Sequence, residues 1–93
     1  MKGKLKNGFK FEVKDNIMDD MEFVEAYRKA QDDAMYYIDI LTMLLGEDQK
    51  KALYESIRGK DGVVHVTQGD YTITDAVTEI FEAIENSGTA GKN

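Results

Sequence analysis

Residues 32–46 of this 93-residue chain read DDAMYYIDILTMLLG, and this apolar stretch decides the fold. Placed on a helix of 3.6 residues per turn, its large side chains cover roughly 220° of the surface. The stretch therefore predicts a helix from about Asp32 to Leu45, with Gly46 suited to the left-handed position that ends a helix. Such a helix either forms the centre of the core or exposes an apolar strip to a partner, and the sequence leaves both interpretations open.

The segments on both sides of this stretch predict three further helices. One runs from Asn16 or Asp19 to about Ala30, because Asn16 lies three positions before Asp19, and Asp19 three before Glu22, so that either pair can cap exposed amides. Another runs from about Glu47 to Arg58, and a last one follows Thr72, which forms a capping box with Asp75. Apolar residues in this last segment recur every three or four positions, as in an amphipathic helix.

The first 13 residues predict a β-hairpin. Polar and apolar residues alternate from Lys4 to Val13 around Asn7 and Gly8, a pair typical of a tight two-residue turn. Residues 63–67, VVHVT, are rich in β-branched side chains and predict an extended segment, which could form a third strand beside the hairpin. The expected fold class is mainly α (α+β), with the N-terminal hairpin packed on a bundle of about four short helices.

The length predicts one domain over residues 1–86, followed by a flexible tail over residues 87–93 that has nothing to bury. No run of about 18 apolar residues occurs, so we expect no membrane segment. The chain has no cysteine, which fits a reducing cytoplasm.

Charge is distributed unevenly along the chain. Residues 1–14 carry five lysines against Glu12, or +4, which leaves −10 for residues 15–93 out of the net −6. An acidic body repels phosphate backbones, so we do not expect nucleic acid as a partner. The lysines are interpreted as a solvated face that protects the edge of the hairpin.

The sequence contains no recognisable catalytic, cofactor or metal motif. His65 is the only histidine, and the acidic doublets all lie at predicted helix starts, where carboxylates cap amides. We therefore expect no enzyme activity, no cofactor and no metal. A binding function would reside on the helix predicted from Asp32 to Leu45, and the residues assigned to partner contact are Met35, Tyr36, Ile40 and Met43.

The order of elements and several short motifs resemble the tail assembly chaperone family of long-tailed bacteriophages and prophages, over about residues 3–86. The motifs after the hairpin are DDMEF at 19–23, LLGEDQ at 44–49, DG at 61–62 and EIF at 79–81.

The resemblance implies a non-enzymatic, mainly helical protein that binds the tape-measure protein and keeps it soluble during tail assembly. It also implies tail-tube subunits and a longer, frameshifted form of the same protein as partners, with the frameshift near residues 91–93. The protein would act in the cytoplasm of the bacterial host and be absent from the mature virion. Association of the chain with copies of itself, as a homo-oligomer, is a further expectation that the sequence leaves open.

An alternative from another functional class is an acidic DNA mimic, or an adaptor, that binds and inhibits a nucleic-acid-binding protein. The two hypotheses differ in salt dependence. Binding by a DNA mimic should collapse as ionic strength rises, whereas binding through apolar helix faces should largely survive.

Overall fold

A short hairpin and three α-helices make up the part of the chain that the computed structural model describes, residues 1–87. The hairpin consists of β1 (Lys2–Lys4) and β2 (Lys10–Glu12), and the helices are α1 (Met21–Asp32), α2 (Tyr37–Ile57) and α3 (Ile73–Asn86). One 3₁₀ turn precedes α1 (Ile17–Asp19), and another precedes α2 (Ala34–Tyr36). This architecture confirms the expected fold class. Of the tail predicted over residues 87–93, residues 88–93 lie outside the described part of the chain.

The hairpin forms where predicted, but its turn is longer than the expected two residues. The strands are antiparallel, with Lys4 opposite Lys10 and Gly3 opposite Phe11. The Leu5 amide donates to the Phe9 carbonyl, and the Gly8 amide donates to the Leu5 carbonyl, so the loop spans residues 6–8. Gly8 has φ 94°, a left-handed conformation typical of the three-residue hairpin loop, which explains why a glycine is needed there.

The helix starts differ from the predicted ones because different acidic residues act as caps. Asp20 accepts hydrogen bonds from the amides of Glu22 and Phe23, so α1 begins at Met21. Helix α1 then continues to Asp32, where the next helix was expected to begin. Asp33 accepts from the Met35 amide and begins the 3₁₀ turn that leads into α2. The predicted capping box of Thr72 and Asp75 at the start of α3 is confirmed.

Gly46 interrupts α2 without separating it into two distant helices. Its backbone angles, φ 76° and ψ 169°, are not helical, and the chain resumes a helical path directly afterwards. The prediction that Gly46 ends one helix before the next begins is confirmed, and the two helical runs meet at this kink; we call them the first half (37–45) and the second half (47–57) of α2.

The predicted extended segment at residues 63–67 is not a strand. The sheet has two strands only within residues 1–87, and the chain from residue 58 to Thr72 follows an irregular path. The carbonyls of His65 and Val66 accept the amides of Ile73 and Thr74. These backbone groups cap α3, so they are not available for a β-ladder.

The hairpin is fastened to the helices by polar contacts around its edges. The Gln49 side chain accepts from the Glu12 amide at 2.8 Å and donates to the Glu12 carbonyl at 2.9 Å, as a neighbouring strand would. The Lys6 amide donates to Glu79 Oε1 on α3 at 2.9 Å. These bonds hold the apolar face of the hairpin against the helices.

The core lies between the hairpin, α1, both halves of α2 and α3. Phe23, Ile40, Leu41, Leu53 and Ile80 are fully buried within it. Tyr27 joins α1 to α3, because its ring meets Phe81 edge-on with centroids 4.5 Å apart. The first half of α2 is thus the central core element that one interpretation of residues 32–45 required.

Candidate functional site

An apolar groove opens between the start of α2 and the irregular segment before α3. It encloses about 370 Å³. Buried or half-buried side chains of Leu41, Tyr54 and Ile73 form its floor. Three exposed apolar side chains line its rim, with exposed fractions of 76% for Met35, 57% for Ile38 and 47% for Val66.

The first wall of the groove results from the way α2 begins. Asp33 Oδ1 accepts the Met35 amide at 2.9 Å, and this bond fixes the 3₁₀ turn that leaves Met35 in solvent. Ile38 lies in the first turn of α2 and is one helical turn before Leu41. Residues three apart share a helix face, so the apolar surface runs from exposed Ile38 to buried Leu41 without interruption.

The opposite wall is fixed by hydrogen bonds, although it has no regular secondary structure. The Val66 carbonyl accepts the Thr74 amide at 3.0 Å and the Thr74 hydroxyl at 2.7 Å. The Gly59 amide donates to the Val63 carbonyl at 2.9 Å. Val64 and Val66 therefore line the groove from a segment that is tied to α3 and closed into a turn by its own backbone.

His65 strengthens this wall through a hydrogen bond with Asp61. His65 Nε2 lies 2.7 Å from Asp61 Oδ2, and the other carboxylate oxygen accepts the Val63 amide at 3.0 Å. The Val63 amide and the His65 ring lower the pKa of the Asp61 carboxyl from its ordinary value, because both stabilise the charged form. The pair clamps residues 61–65 into a turn, and this accounts for the position of the only histidine.

The four residues assigned to partner contact from the sequence do not form one patch. Met35 lines the groove, whereas Tyr36 is half-buried with Lys29 Nζ 5.6 Å above its ring. Met43 is 37% exposed, but it lies about 140° around α2 from Ile38. Ile40 has no exposed surface, and its burial in the core excludes it from a contact surface.

Sequence analysis missed the residues that complete the groove. Ile38 belongs to the apolar arc of residues 32–46, but the arc alone does not show which of its edges is exposed. Val64 and Val66 were interpreted as strand residues, and nothing local places them beside Tyr54. The signal for them is the apolar pair itself, because two valines two positions apart in a segment without a ladder need another surface to contact.

The groove offers apolar contact and little charge. Asp33 is the charged residue of its lining, and no lysine or arginine contributes to it. Over residues 1–87, no group of three or more His, Asp or Glu side chains is placed to hold a metal ion. Within the same residues, no helix is both long enough and apolar enough to cross a bilayer. The arrangement suits the binding of apolar side chains from another molecule.

Comparisons with known proteins give no match to a family model, to a curated protein or to a solved structure.

Proposed function

We propose that this domain is a non-enzymatic chaperone that holds an apolar segment of a client protein in the groove. The groove itself carries the proposal, because Met35, Ile38 and Val66 expose apolar surface around a preformed depression. Exposed apolar surface that surrounds a depression is typical of protein-binding sites. The resemblance to tail assembly chaperones suggests the client, a tape-measure protein.

The groove favours a helical client segment with an apolar face and basic flanks. Its volume accommodates a few side chains, as helix-in-groove recognition requires, and excludes a whole helix. Asp33 lines the groove, and Asp39 follows Ile38 on the exposed side of α2. Lysine or arginine residues beside the apolar anchors of the client would pair with these carboxylates.

The biological setting in this proposal follows the family. The protein acts in the cytoplasm of the bacterial host, releases its client as tail-tube subunits assemble around it, and does not remain in the virion. Tail-tube subunits and a frameshifted longer form are further partners in the same scheme. Residues 91–93, near which the frameshift would occur, lie outside the described part of the chain.

Co-expression with a fragment of a tape-measure protein tests the proposal. We expect the fragment to become soluble and to co-elute with the domain. Met35→Asp should reduce the co-eluting amount at least about tenfold, because it places a charge in an apolar contact. A fragment that is equally soluble without the domain, and forms no complex with it, contradicts the proposal.

Met21→Asp is the matched control for this experiment. Met21 is 70% exposed, close to the 76% of Met35, but it lies at the start of α1 and outside the groove lining. The same substitution there should leave the complex intact. The complex should also persist when salt rises from about 0.1 M to about 1 M, whereas an acidic DNA mimic would lose its partner.

A further inference from the structure

The outer edge of β1 carries backbone groups that have no partner. The Val13 amide bonds to the Met1 carbonyl, so the odd-numbered residues of this strand direct their backbone groups towards β2. Successive strand residues direct these groups to opposite sides, so the amides and carbonyls of Lys2 and Lys4 point away from β2. Within residues 1–87, no hydrogen bond reaches these four groups. This edge of the hairpin is therefore unpaired.

The edge of β2, in contrast, is closed by a side chain that acts as a neighbouring strand would. Gln49 accepts from the Glu12 amide at 2.8 Å and donates to the Glu12 carbonyl at 2.9 Å. On the side of β1, the Lys6 amide donates to Glu79 Oε1 at 2.9 Å, so α3 closes the far end of that edge. The open stretch is thus the three residues of β1 itself.

The side chains beside this open edge are cationic. Lys2, Lys4 and Lys10 are exposed on the outer face, and none of the ion pairs within residues 1–87 includes them. Together with Glu12 they line a shallow concavity of about 510 Å³. Lysines on an edge deter pairing with a basic strand, whereas opposite charges on neighbouring strands attract. The edge therefore favours an acidic strand.

Gly3 determines what the middle residue of an added strand would contact. A Cβ on Gly3 would collide with Cζ of Phe11, so the Phe11 ring occupies the space that a side chain at this position would take. The ring lies on the inner face of the hairpin, where it is buried. Residues opposite each other in a sheet point to the same face, so a strand residue beside Gly3 would point inward, next to this ring. An apolar residue suits that position.

We propose that the outer edge of β1 binds an extended acidic segment of a partner protein as a third strand. The segment pairs antiparallel, the more stable arrangement per residue, and its pattern is acidic, apolar, acidic. The two carboxylates lie opposite Lys2 and Lys4, and the apolar residue lies beside Gly3. Backbone hydrogen bonds supply affinity and the lysines supply specificity, as in other cases of strand addition. A third strand also stabilises a two-stranded sheet, which is marginal alone.

A capped six-residue peptide in which glutamate and valine alternate is the probe for this site. We expect it to bind the full chain with a Kd between about 10 µM and about 1 mM, measured by fluorescence anisotropy. Hydrogen exchange of the Lys2 and Lys4 amides should slow in the complex. A peptide of the same composition with its glutamates contiguous should bind at least about threefold more weakly. Equal binding of the two peptides, or no binding of the first, would overturn the inference.

Backbone methylation of the peptide separates strand pairing from simple attraction of charge. In the antiparallel arrangement the glutamate amides face β1 and the valine amides face solvent. N-methylation of the three glutamate amides should weaken binding at least about tenfold, because about two hydrogen bonds are lost. N-methylation of the three valine amides retains those bonds and should change affinity little. Equal losses in the two methylated peptides would contradict pairing with the strand edge.

Substitutions in the protein test the role of the lysines. Lys2→Gln/Lys4→Gln should weaken binding of the alternating peptide at least about threefold. Lys51→Gln/Lys60→Gln makes the same change of charge at exposed positions of α2 and the following loop, and it should bind as the unmodified chain does. Equal weakening by both variants would show that net charge alone is responsible. Displacement of the peptide by duplex DNA at an equal concentration of charges would likewise overturn the inference.

This site is separate from the apolar groove. Neither Lys2 nor Lys4 lines the groove, and Met35 is not part of the concavity over the hairpin. Met35→Asp should therefore bind the acidic peptide with unchanged affinity, and Lys2→Gln/Lys4→Gln should retain the tape-measure fragment. Loss of peptide binding in Met35→Asp would contradict a separate site at the edge of β1.

Discussion

The two halves of α2, on either side of Gly46, differ in what covers them. The second half lies beneath the hairpin, and Gln49 and Ser56 bond to it directly. The first half contributes Ile40 and Leu41 to the core but leaves Ile38 and Met43 partly in solvent. One helical element thus combines a half that fastens the fold with a half that also presents apolar surface. The comparison shows that burial in the core and exposed apolar surface can occur along one helix.

The largest loss of stability should come from a substitution on the buried side of the first half of α2. Ile40→Ala should lower the free energy of unfolding by about 2–5 kcal/mol, because it opens a cavity where the side chain has no exposed surface. Denaturant unfolding followed by circular dichroism measures the change. A loss well below 1 kcal/mol would mean that Ile40 is not in a packed core.

A substitution at Gly46, the junction between the two halves, should cause the next largest loss of stability. Gly46→Ala places a Cβ at φ 76° and ψ 169°, a conformation that is nearly restricted to glycine. Beyond the adjoining residues of the chain, nothing lies within 4 Å of that Cβ, so the cost is backbone strain, of about 1–3 kcal/mol. Denaturant unfolding measures it, and Lys51→Ala on the exposed side of the second half serves as the control. A variant as stable as the original chain would show that the kink is not required.

Loss of the hydrogen bonds that join the second half of α2 to the hairpin should lower stability by a smaller amount. Gln49→Ala removes two bonds to Glu12 and one to the Leu45 carbonyl, and water can replace some of them because the site is partly exposed. We expect a loss of about 1 kcal/mol. Gln68→Ala, in the exposed loop, should change stability little. Equal effects of the two substitutions would remove the special role of Gln49 at the strand edge.

The stability of the domain should depend on alkaline pH because of Tyr27, which lies where α1 meets α3. Burial, and then the bond to Glu85, raises the pKa of Tyr27 from 10.0 to about 12. The unfolded chain therefore loses this proton first, and stability should fall as pH rises from 10 towards 12. Tyr27→Phe should reduce this alkaline decline, as measured by melting temperature against pH. An unchanged decline would indicate that Tyr27 does not contribute to it.

The smallest stability change should come from the exposed edge of the first half. Ile38→Thr removes an apolar side chain that is 57% exposed, so unfolding free energy should change by no more than about 0.5 kcal/mol. Client binding should weaken, because Ile38 lines the groove, whereas Met43→Asp on the other flank should have less effect. Equal weakening by both would place the client across both flanks of α2.

Sequence periodicity predicted the helices and the hairpin because each depends on residues close together in the chain. Thr72 with Asp75 and the turn at Gly8 are examples of such local determinants. The start of α2 was misplaced because Asp32 and Asp33 are both acceptable caps, and tertiary packing lets α1 continue through the first of them.

The groove could not be predicted in full because its walls come from distant parts of the chain. Met35 was assigned to partner contact from its place on the polar side of the helix, and it does line the groove. Val66 lines the same groove as Met35, with Tyr54 and Ile73 in the floor between them. No local sequence pattern predicts that these residues lie together. Ile40 and Leu41 are both apolar neighbours in the arc, and only the packed structure shows that both are buried.

The bond from the Lys6 amide to Glu79 has a consequence for synthesis on the ribosome. It joins residues 73 positions apart, so the hairpin, which is made before α3, cannot be fastened to α3 until nearly all the described chain has emerged. At roughly 5–20 residues per second, this delay is on the order of seconds, during which the apolar face of the hairpin lacks its full cover. The lysines on the other face keep the nascent segment charged throughout that interval, which disfavours premature pairing between neighbouring chains.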